Sequence, residues 1–385
     1  MKAVYLDNNA TTPVDPKVLE AMLPFLGEHY GNPSSLHRFG RVVRKAIEEA
    51  REQVAELLGA HPDEVIFTSG GTEGDNAALR GVLEALPDKR HVVTTRVEHP
   101  AVLNLCRYLE GRGYEVTYLS VDRLGRLDLE ELRASLREDT ALVSIMLANN
   151  ETGVIFPLAE VAEIVKERGV VLHCDAVQAV GKMPIDLRSL PVDLLAISGH
   201  KFHGPKGVGA LYVRRGTPWI PLIIGGHHES GRRAGTENAA SIVGMGKAAE
   251  LAREELRHVD EVRSLRDKLE RGILERVPRV LLNGDPHGRL PNTSNLCFEG
   301  VEGEALLLRL DEVGIAVSAG SACSSGSGEP SHVLKAMGVP EPAIHGAIRF
   351  SLSRFTTEEE VDYVLQELPA VVEELRALSP LWPPD

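Results

Sequence analysis

The chain has 385 residues, 43% hydrophobic and 25% charged, with 42 basic against 56 acidic side chains for a formal net charge of −14. That length exceeds the size at which a single core stops growing, so two domains or one large α/β domain with an appendage is expected. No apolar run approaches the roughly 18 residues of a membrane span, and the acidic balance argues against nucleic-acid and anionic-membrane surfaces as partners.

The segment Met1 to Asp7 lacks a long apolar stretch followed by a small-residue cleavage site, so a cytoplasmic location is expected. Four cysteines, Cys106, Cys174, Cys297 and Cys323, lie far apart with no C-x-x-C pair, which argues against a disulfide framework and a zinc site. Cys106 falls in a helical pattern, and Cys174 and Cys297 fall in apolar strand-like runs, as small buried hydrophobes do. Cys323 differs, because it sits in the Ser- and Gly-rich stretch from Ser318 to Gly328, a loop composition.

Taken in chain order, apolar residues recur at a helical period from Arg41 to Leu58, and Gly59 stops them. Short β-rich runs follow at Val65–Ser69, His91–Thr95, Glu115–Leu119, Ala141–Leu147, Val170–Asp175, Leu194–Ser198 and Gly207–Val213, most of them separated by helical patterns. This alternation predicts an α/β fold with a mostly parallel, doubly wound sheet. One or two long charged helices from Ser241 to about Glu275 mark a domain boundary. A second, smaller α/β unit then has strands at Val280–Asn283, Thr293–Phe298, Ile315–Ser318 and Ala347–Leu352, with helices near Glu302–Glu312, Pro330–Met337 and Thr357–Leu375. Glu358-Glu359-Glu360 reads as an acidic first helical turn, and the Pro-rich stretch from Ser379 to Pro384 as a loose end.

Val65–Ser69 runs into Gly70-Gly71-Thr72-Glu73-Gly74-Asp75-Asn76 and then an apolar helix. Such a strand-turn-helix holds either an anion, typically phosphate, on its free N–H groups, or simply a tight turn capped by Thr72. It matches neither the dinucleotide fingerprint nor the Walker loop. Polar residues end several other runs: Val97-Glu98-His99-Pro100, Asn149-Asn150, Asp175 with Gln178 a turn later, and Ser198-Gly199-His200-Lys201. Singly these are caps or turn residues, but four such sites on one sheet point to a single pocket beyond the carboxyl ends of the strands. A lysine at the exit of a buried strand either snorkels to water or is held as a neutral amine able to attack a carbonyl. A phosphate site, a lysine able to form an imine, a carboxylate for a pyridinium nitrogen and an imidazole together suit pyridoxal 5'-phosphate.

In these residues the chain resembles the cysteine desulfurases of the NifS/IscS type, within the class V branch of fold-type I pyridoxal-phosphate enzymes. The likeness covers nearly the whole chain. Its motifs are Tyr5 to Thr12, Gly70-Gly71-Thr72-Glu73, Val97-Glu98-His99, Asn149 to Gly153, Asp175-Ala176-Val177-Gln178, Ser198-Gly199-His200-Lys201, Arg232 to Thr236, Gly320-Ser321-Ala322-Cys323 and Ile348-Arg349-Phe350-Ser351. The resemblance implies a large cofactor-binding domain over 16–260 and a small domain from 1–15 plus 261–385, the latter carrying a cysteine loop at about 318–330.

It further implies that Lys201 forms the Schiff base, Asp175 pairs with the pyridine nitrogen, Gln178 contacts the ring hydroxyl and His99 stacks on the ring. Gly71, Thr72, Ser198 and His200 would hold the phosphate, and Thr236 would reach the cofactor of a second subunit in a homodimer. Arg349 and Asn150 would bind the substrate carboxylate. Cys323 would take the sulfur of L-cysteine as a persulfide, leaving L-alanine, and pass it to acceptor proteins such as an iron–sulfur scaffold. Neither nucleic acid nor a membrane is an expected partner. Two rival readings remain at this level: another class V enzyme, an aminotransferase or selenocysteine lyase, and a non-enzymatic scaffold that keeps the fold. Gly74-Asp75-Asn76 stands where the family more often has Ser-Asn-Asn. His227-His228 lacks neighbouring ligands, so no metal is expected, and the pair reads as a loop near a subunit interface.

Overall fold

The computed structural model describes residues 3–319, 330–380 and 382. A two-residue strand β1 (Val4–Tyr5) precedes two helices, α1 (Pro16–Gly27) and α2 (Arg38–Leu58). Asp15 caps α1 by accepting from the Lys17 N–H at 2.7 Å, with Pro16 preset in the first turn. Gly59 ends α2 in the left-handed conformation (φ 63°), as the sequence predicts.

From there the alternation takes over: β2 (Val65–Thr68), α3 (Gly71–Ala85), β3 (His91–Thr95), α4 (Pro100–Glu110), β4 (Glu115–Leu119), β5 (Thr140–Ser144), β6 (Val171–Asp175), β7 (Leu194–Ser198) and β8 (Gly209–Val213). These strands form one seven-stranded sheet in the order β2-β8-β7-β6-β5-β3-β4. The pairs from β7 across to β4 are parallel, while β8 runs antiparallel to both its neighbours. The cause is length: a parallel return needs a dozen or more residues, and only 199–208 separate β7 from β8.

The central strands are buried on both faces, which explains their unbroken apolar runs. Successive residues alternate between two cores, with Val143, Leu172 and Leu195 in one and Leu142, Val171 and Leu194 in the other.

The remaining strands are β9 (Val280–Asn283), β10 (Thr293–Phe298), β11 (Ile315–Ala316), β12 (Ser318–Ala319) and β13 (Ala347–Ser351). Four of them form an antiparallel sheet, β12-β13-β10-β9, and β1 pairs in parallel with β11. Leu296, Phe298, Ile348 and Phe350 of this sheet share a third core with Leu269 and Leu365 of two flanking helices, Val259–Arg276 and Glu358–Leu378, and with Val4 and Leu6. The second of these helices opens with a capping box between Thr357 and Glu360.

One expectation is corrected here. The chain end is not loose at Trp382, whose ring lies 4.0 Å from the Arg376 guanidinium and 5.1 Å from that of Arg279.

Candidate active site

The ends of β5, β6 and β7 and the starts of α3 and α4 meet at one cavity of about 310 Å³. Into it the fold brings Gly71, Thr72, His99, Asn150 and Asp175, together with Gln178, Ser198, His200, Lys201 and Arg349. Thr236 is not among them. It lines a separate groove with Ser69, Gly207 and Arg233. Cys323 lies outside the described residues.

The first turn of α3 makes the anion cradle. A Cβ on Gly71 would stand 2.6 Å from Val177 Cγ2, so only glycine lets the helix start this close to the segment after β6. The N–H groups of a first helical turn have no partner within the helix and favour negative charge. The preceding loop is tied down from both sides: Glu73 accepts from the Ser69 N–H (2.9 Å) and from Arg233 (2.9 and 3.2 Å). At the opposite wall the His200 Nδ1 lies 3.1 Å from Thr11 Oγ1. Burial, then Lys201, Lys206 and Lys182, pushes His200 down to about 4, so at neutral pH it meets an anion as a neutral ring.

His99 caps α4, its Nδ1 accepting from the Ala101 N–H at 3.1 Å. Burial lowers its pKa, with Lys201 lowering it further against the pull of Asp175. A neutral ring whose Nδ1 accepts carries its proton on Nε2. Asp175 ends β6 and accepts from the Val177 N–H at 2.9 Å. Burial raises its carboxyl above the usual range, offset by His99, by that N–H and by Lys201. A buried carboxylate of this kind is stabilised by a cation in the cavity.

Lys201 donates to the carbonyls of Asn9 (2.5 Å) and Ala10 (2.7 Å), so the segment after β1 folds over it. The strand-end lysine therefore does not snorkel, but turns inward onto backbone oxygens. Arg349, on β13, is 2% exposed. It donates through Nη1 to the Asn150 carbonyl (2.9 Å) and through Nη2 to Asp7 (2.8 Å), while its buried Nε has no partner among the described residues.

Several groups around this cavity have no role assigned from the sequence. Asp7 and Asn9 come from the chain's start, and Lys182 reaches Gln178 at 3.0 Å. Asp75, the departure from the family's usual triplet, lines the cavity at 1% exposure, with its Oδ1 3.4 Å from the His173 Nε2. Burial, Asp175 and Glu98 all raise the Asp75 carboxyl. Glu98 is fully buried next to His99 and is pushed up to about 8, chiefly by burial. Three carboxyl groups thus interact within one buried region, a situation in which like charges hold protons on some of them.

The other cysteines are inert. Cys106, Cys174 and Cys297 are buried and free, and burial lifts the Cys106 thiol to about 12 and that of Cys297 to about 11. Near His227 and His228, Glu229 is buried against Arg51 (2.6 and 2.8 Å) and the Phe67 N–H (2.9 Å). No group of three or more His, Cys, Asp or Glu able to hold a metal occurs among the described residues.

An amine, a buried carboxylate, a proton-bearing imidazole nitrogen and an N–H cradle are what pyridoxal phosphate needs for its aldehyde, ring nitrogen, ring face and phosphate, and here they line one cavity. The fold and the site thus define a pyridoxal-phosphate enzyme, and the chain belongs to the aminotransferase class-V family, whose family model matches residues 4–364.

Closer relatives sharpen this. The chain is 60% identical over 385 residues to the cysteine desulfurase of Trichormus azollae, covering 99% of this chain and 95% of that one. It is 58% identical over 384 residues to cysteine desulfurase NifS of Azotobacter vinelandii, covering 99% and 96%. A solved structure titled NifS-like protein superposes with a TM-score of 0.92 at 44% identity, over 97% of this chain and 100% of that one.

Proposed function

We infer that the chain is a pyridoxal-phosphate-dependent cysteine desulfurase, which takes sulfur from L-cysteine, releases L-alanine and hands the sulfur to acceptors. The observation that carries this is Lys201, Asp175 and His99 facing one cavity in a chain related over its full length to cysteine desulfurases.

Pyridoxal phosphate, when bound, supplies an electron sink that stabilises negative charge at the substrate α-carbon and loosens the bond to sulfur. Lys201 would hold the cofactor through its Nζ, and the same amine would take the α-proton of the substrate. Asp175 would stabilise a protonated ring nitrogen, and Gln178 would meet the ring hydroxyl. His99 would cover the ring face and offer its Nε2 proton. The α3 turn at Gly71 and Thr72, with Ser198 and His200, would hold the phosphate.

Arg349 and Asn150 receive the substrate carboxylate. Arg349 lines the cavity with its guanidinium held in place by the Asn150 carbonyl and Asp7. Cys323 supplies the nucleophile: its thiolate electron pair forms an S–S bond with the substrate sulfur as the Cβ–S bond breaks, the electron pair of that bond stays with the three-carbon fragment, and this fragment takes up a proton at the β-carbon and regains one at the α-carbon to leave as alanine.

The active form is a homodimer in which Thr236 completes the partner's phosphate site. Its position in a groove away from its own chain's cavity supports this, as does the exposed apolar strip of Leu19, Leu23, Leu26, Tyr30 and Phe39. The large domain spans 16–260, and 1–15 plus 261–385 form the small one, a division supported by the entry of Val4 and Leu6 into the second sheet's core. Iron–sulfur assembly is the acceptor route proposed, and three buried free thiols suit a reducing cytoplasm.

The test is to incubate the purified protein with L-cysteine and a reductant and to quantify alanine and sulfide. Equal amounts of both are expected, and Lys201→Ala should abolish them. Alanine formation that survives this substitution would refute the reading.

A further inference from the structure

We propose that Lys182 is a positioning residue, holding the Gln178 side-chain amide so that Gln178 faces the cofactor as a hydrogen-bond donor. The proposal rests on the reading that Gln178 contacts the cofactor's ring hydroxyl.

A glutamine amide has an accepting end and a donating end, and a freely rotating one can present either to a ligand. At Gln178 both ends are claimed. Its Nε2 donates to the Asn9 carbonyl at 2.9 Å, and its Oε1 accepts from Lys182 Nζ at 3.0 Å. With the oxygen turned to the lysine, the group left for the cavity is the second N–H of Nε2. An N–H is the complement of a ring oxygen that carries or shares negative charge.

Lys182 has a second anchor. Its Nζ donates to Asn9 Oδ1 at 3.3 Å, and that oxygen also accepts from Asn292 Nδ2 at 3.0 Å. Asn9 Nδ2 in turn donates to Thr293 Oγ1 at 2.9 Å. The lysine therefore sits in a network joining the segment after β6, the segment after β1 and the start of β10.

Lys182 borders a small neighbouring cavity and not the one that holds Asp175 and His99, so it reaches the cofactor site indirectly, through Gln178. Burial, and then Lys201 and Arg349, lowers its pKa well below the lysine range. Charged or neutral, the amine has at least two N–H groups, enough for Gln178 and Asn9.

The experiment titrates pyridoxal phosphate into cofactor-stripped protein, recording the dissociation constant and the absorption maximum of the bound form. The variants are Lys182→Met, Lys182→Arg, Gln178→Ala and the double variant Lys182→Met/Gln178→Ala, each with its melting temperature measured. Lys182→Met is expected to weaken binding about fivefold to tenfold, the value of one hydrogen bond, and to shift the absorption maximum. Lys182→Arg, which still donates to Oε1, should restore most of both. In the Gln178→Ala background the lysine substitution should add less than about twofold, since it acts through the missing amide.

The proposal is overturned if Lys182→Met lowers only the melting temperature, or if its full effect on affinity persists without Gln178. A failure of the underlying reading looks different: Gln178→Ala alone would leave affinity and spectrum unchanged, or the unaltered protein would not take up the cofactor.

Discussion

Replacing Glu98 by glutamine tests the electrostatics of the region beneath the cavity. Glu98 is 0% exposed, and its Oε1 accepts from the Thr95 hydroxyl at 2.9 Å and the Met146 N–H at 3.0 Å. Its Oε2 is buried without a partner among the described residues. Burial lifts the carboxyl from 4.5 to about 8, Met146 and Thr95 pull it back, and the neighbouring Asp175 adds to the rise.

Between those two values the folded chain keeps a proton that the unfolded chain has already released. Stability therefore falls as pH rises through this window, by about 1.4 kcal/mol per pH unit. Glutamine preserves the Oε1 acceptor but has no proton to lose, so Glu98→Gln lacks that slope. The stability of the variant relative to the parent should grow by about 2 to 3 kcal/mol from pH 5 to pH 7 and level off above pH 8. Urea unfolding of both proteins with saturating cofactor, at half-unit pH steps, measures the difference, and contributions common to both cancel. A gap that stays flat or shrinks from pH 5 to pH 7 would refute the reasoning, because Glu98 would then be ionised in the folded state.

Two further substitutions bear on the cavity itself. Gly71→Ala places a Cβ 2.6 Å from Val177 Cγ2, so either the Val177 side chain or the first turn of α3 must shift in the wall of the cavity; affinity for pyridoxal phosphate should fall by about tenfold or more in a spectroscopic titration, and unchanged affinity would place the phosphate elsewhere. Arg349→Lys exchanges a planar fork for a single ammonium and loses at least one of the contacts to Asn150 and Asp7. The KM for L-cysteine should rise about tenfold or more with a smaller change in kcat, and steady-state kinetics showing an unchanged KM would remove Arg349 from the substrate site.

Strands buried on both faces were the most legible elements, because their composition is apolar without interruption. Leu194–Ser198 falls where the sequence places it; Val280–Asn283 and Thr293–Phe298 do so too, although the first is only half-buried over Val280 to Leu282 and the second opens on the polar Thr293-Ser294-Asn295. Helix α1 escaped notice for the opposite reason: Leu19, Leu23 and Leu26 repeat at a helical spacing but face outward, so the apolar stripe does not mark a core. At the site, strand-end residues on one sheet were foreseeable because the topology of a doubly wound sheet gathers them.

Their partners were not foreseeable. The pairing of Arg349 with Asp7 spans 342 residues and that of Lys201 with the Asn9 carbonyl 192, and no local pattern encodes such contacts. Lys182 reads in the sequence as one more lysine after a turn, and only its placement against Gln178 and Asn9 distinguishes it. Asp75 was visible only as a departure from the family's motif, and its burial beside His173 gives that departure a physical setting.

The central claim divides the chemistry between Lys201, which works through the cofactor, and Cys323, which takes the sulfur. A single turnover with 35S-labelled L-cysteine, followed by peptide mass spectrometry without reductant, tests it most directly. The expected result is one labelled sulfur on the peptide containing Cys323 per alanine released, with no label on that peptide in Cys323→Ala even though its cofactor absorption is unchanged. Label on another cysteine, or undiminished release of alanine and sulfide by Cys323→Ala, would contradict it.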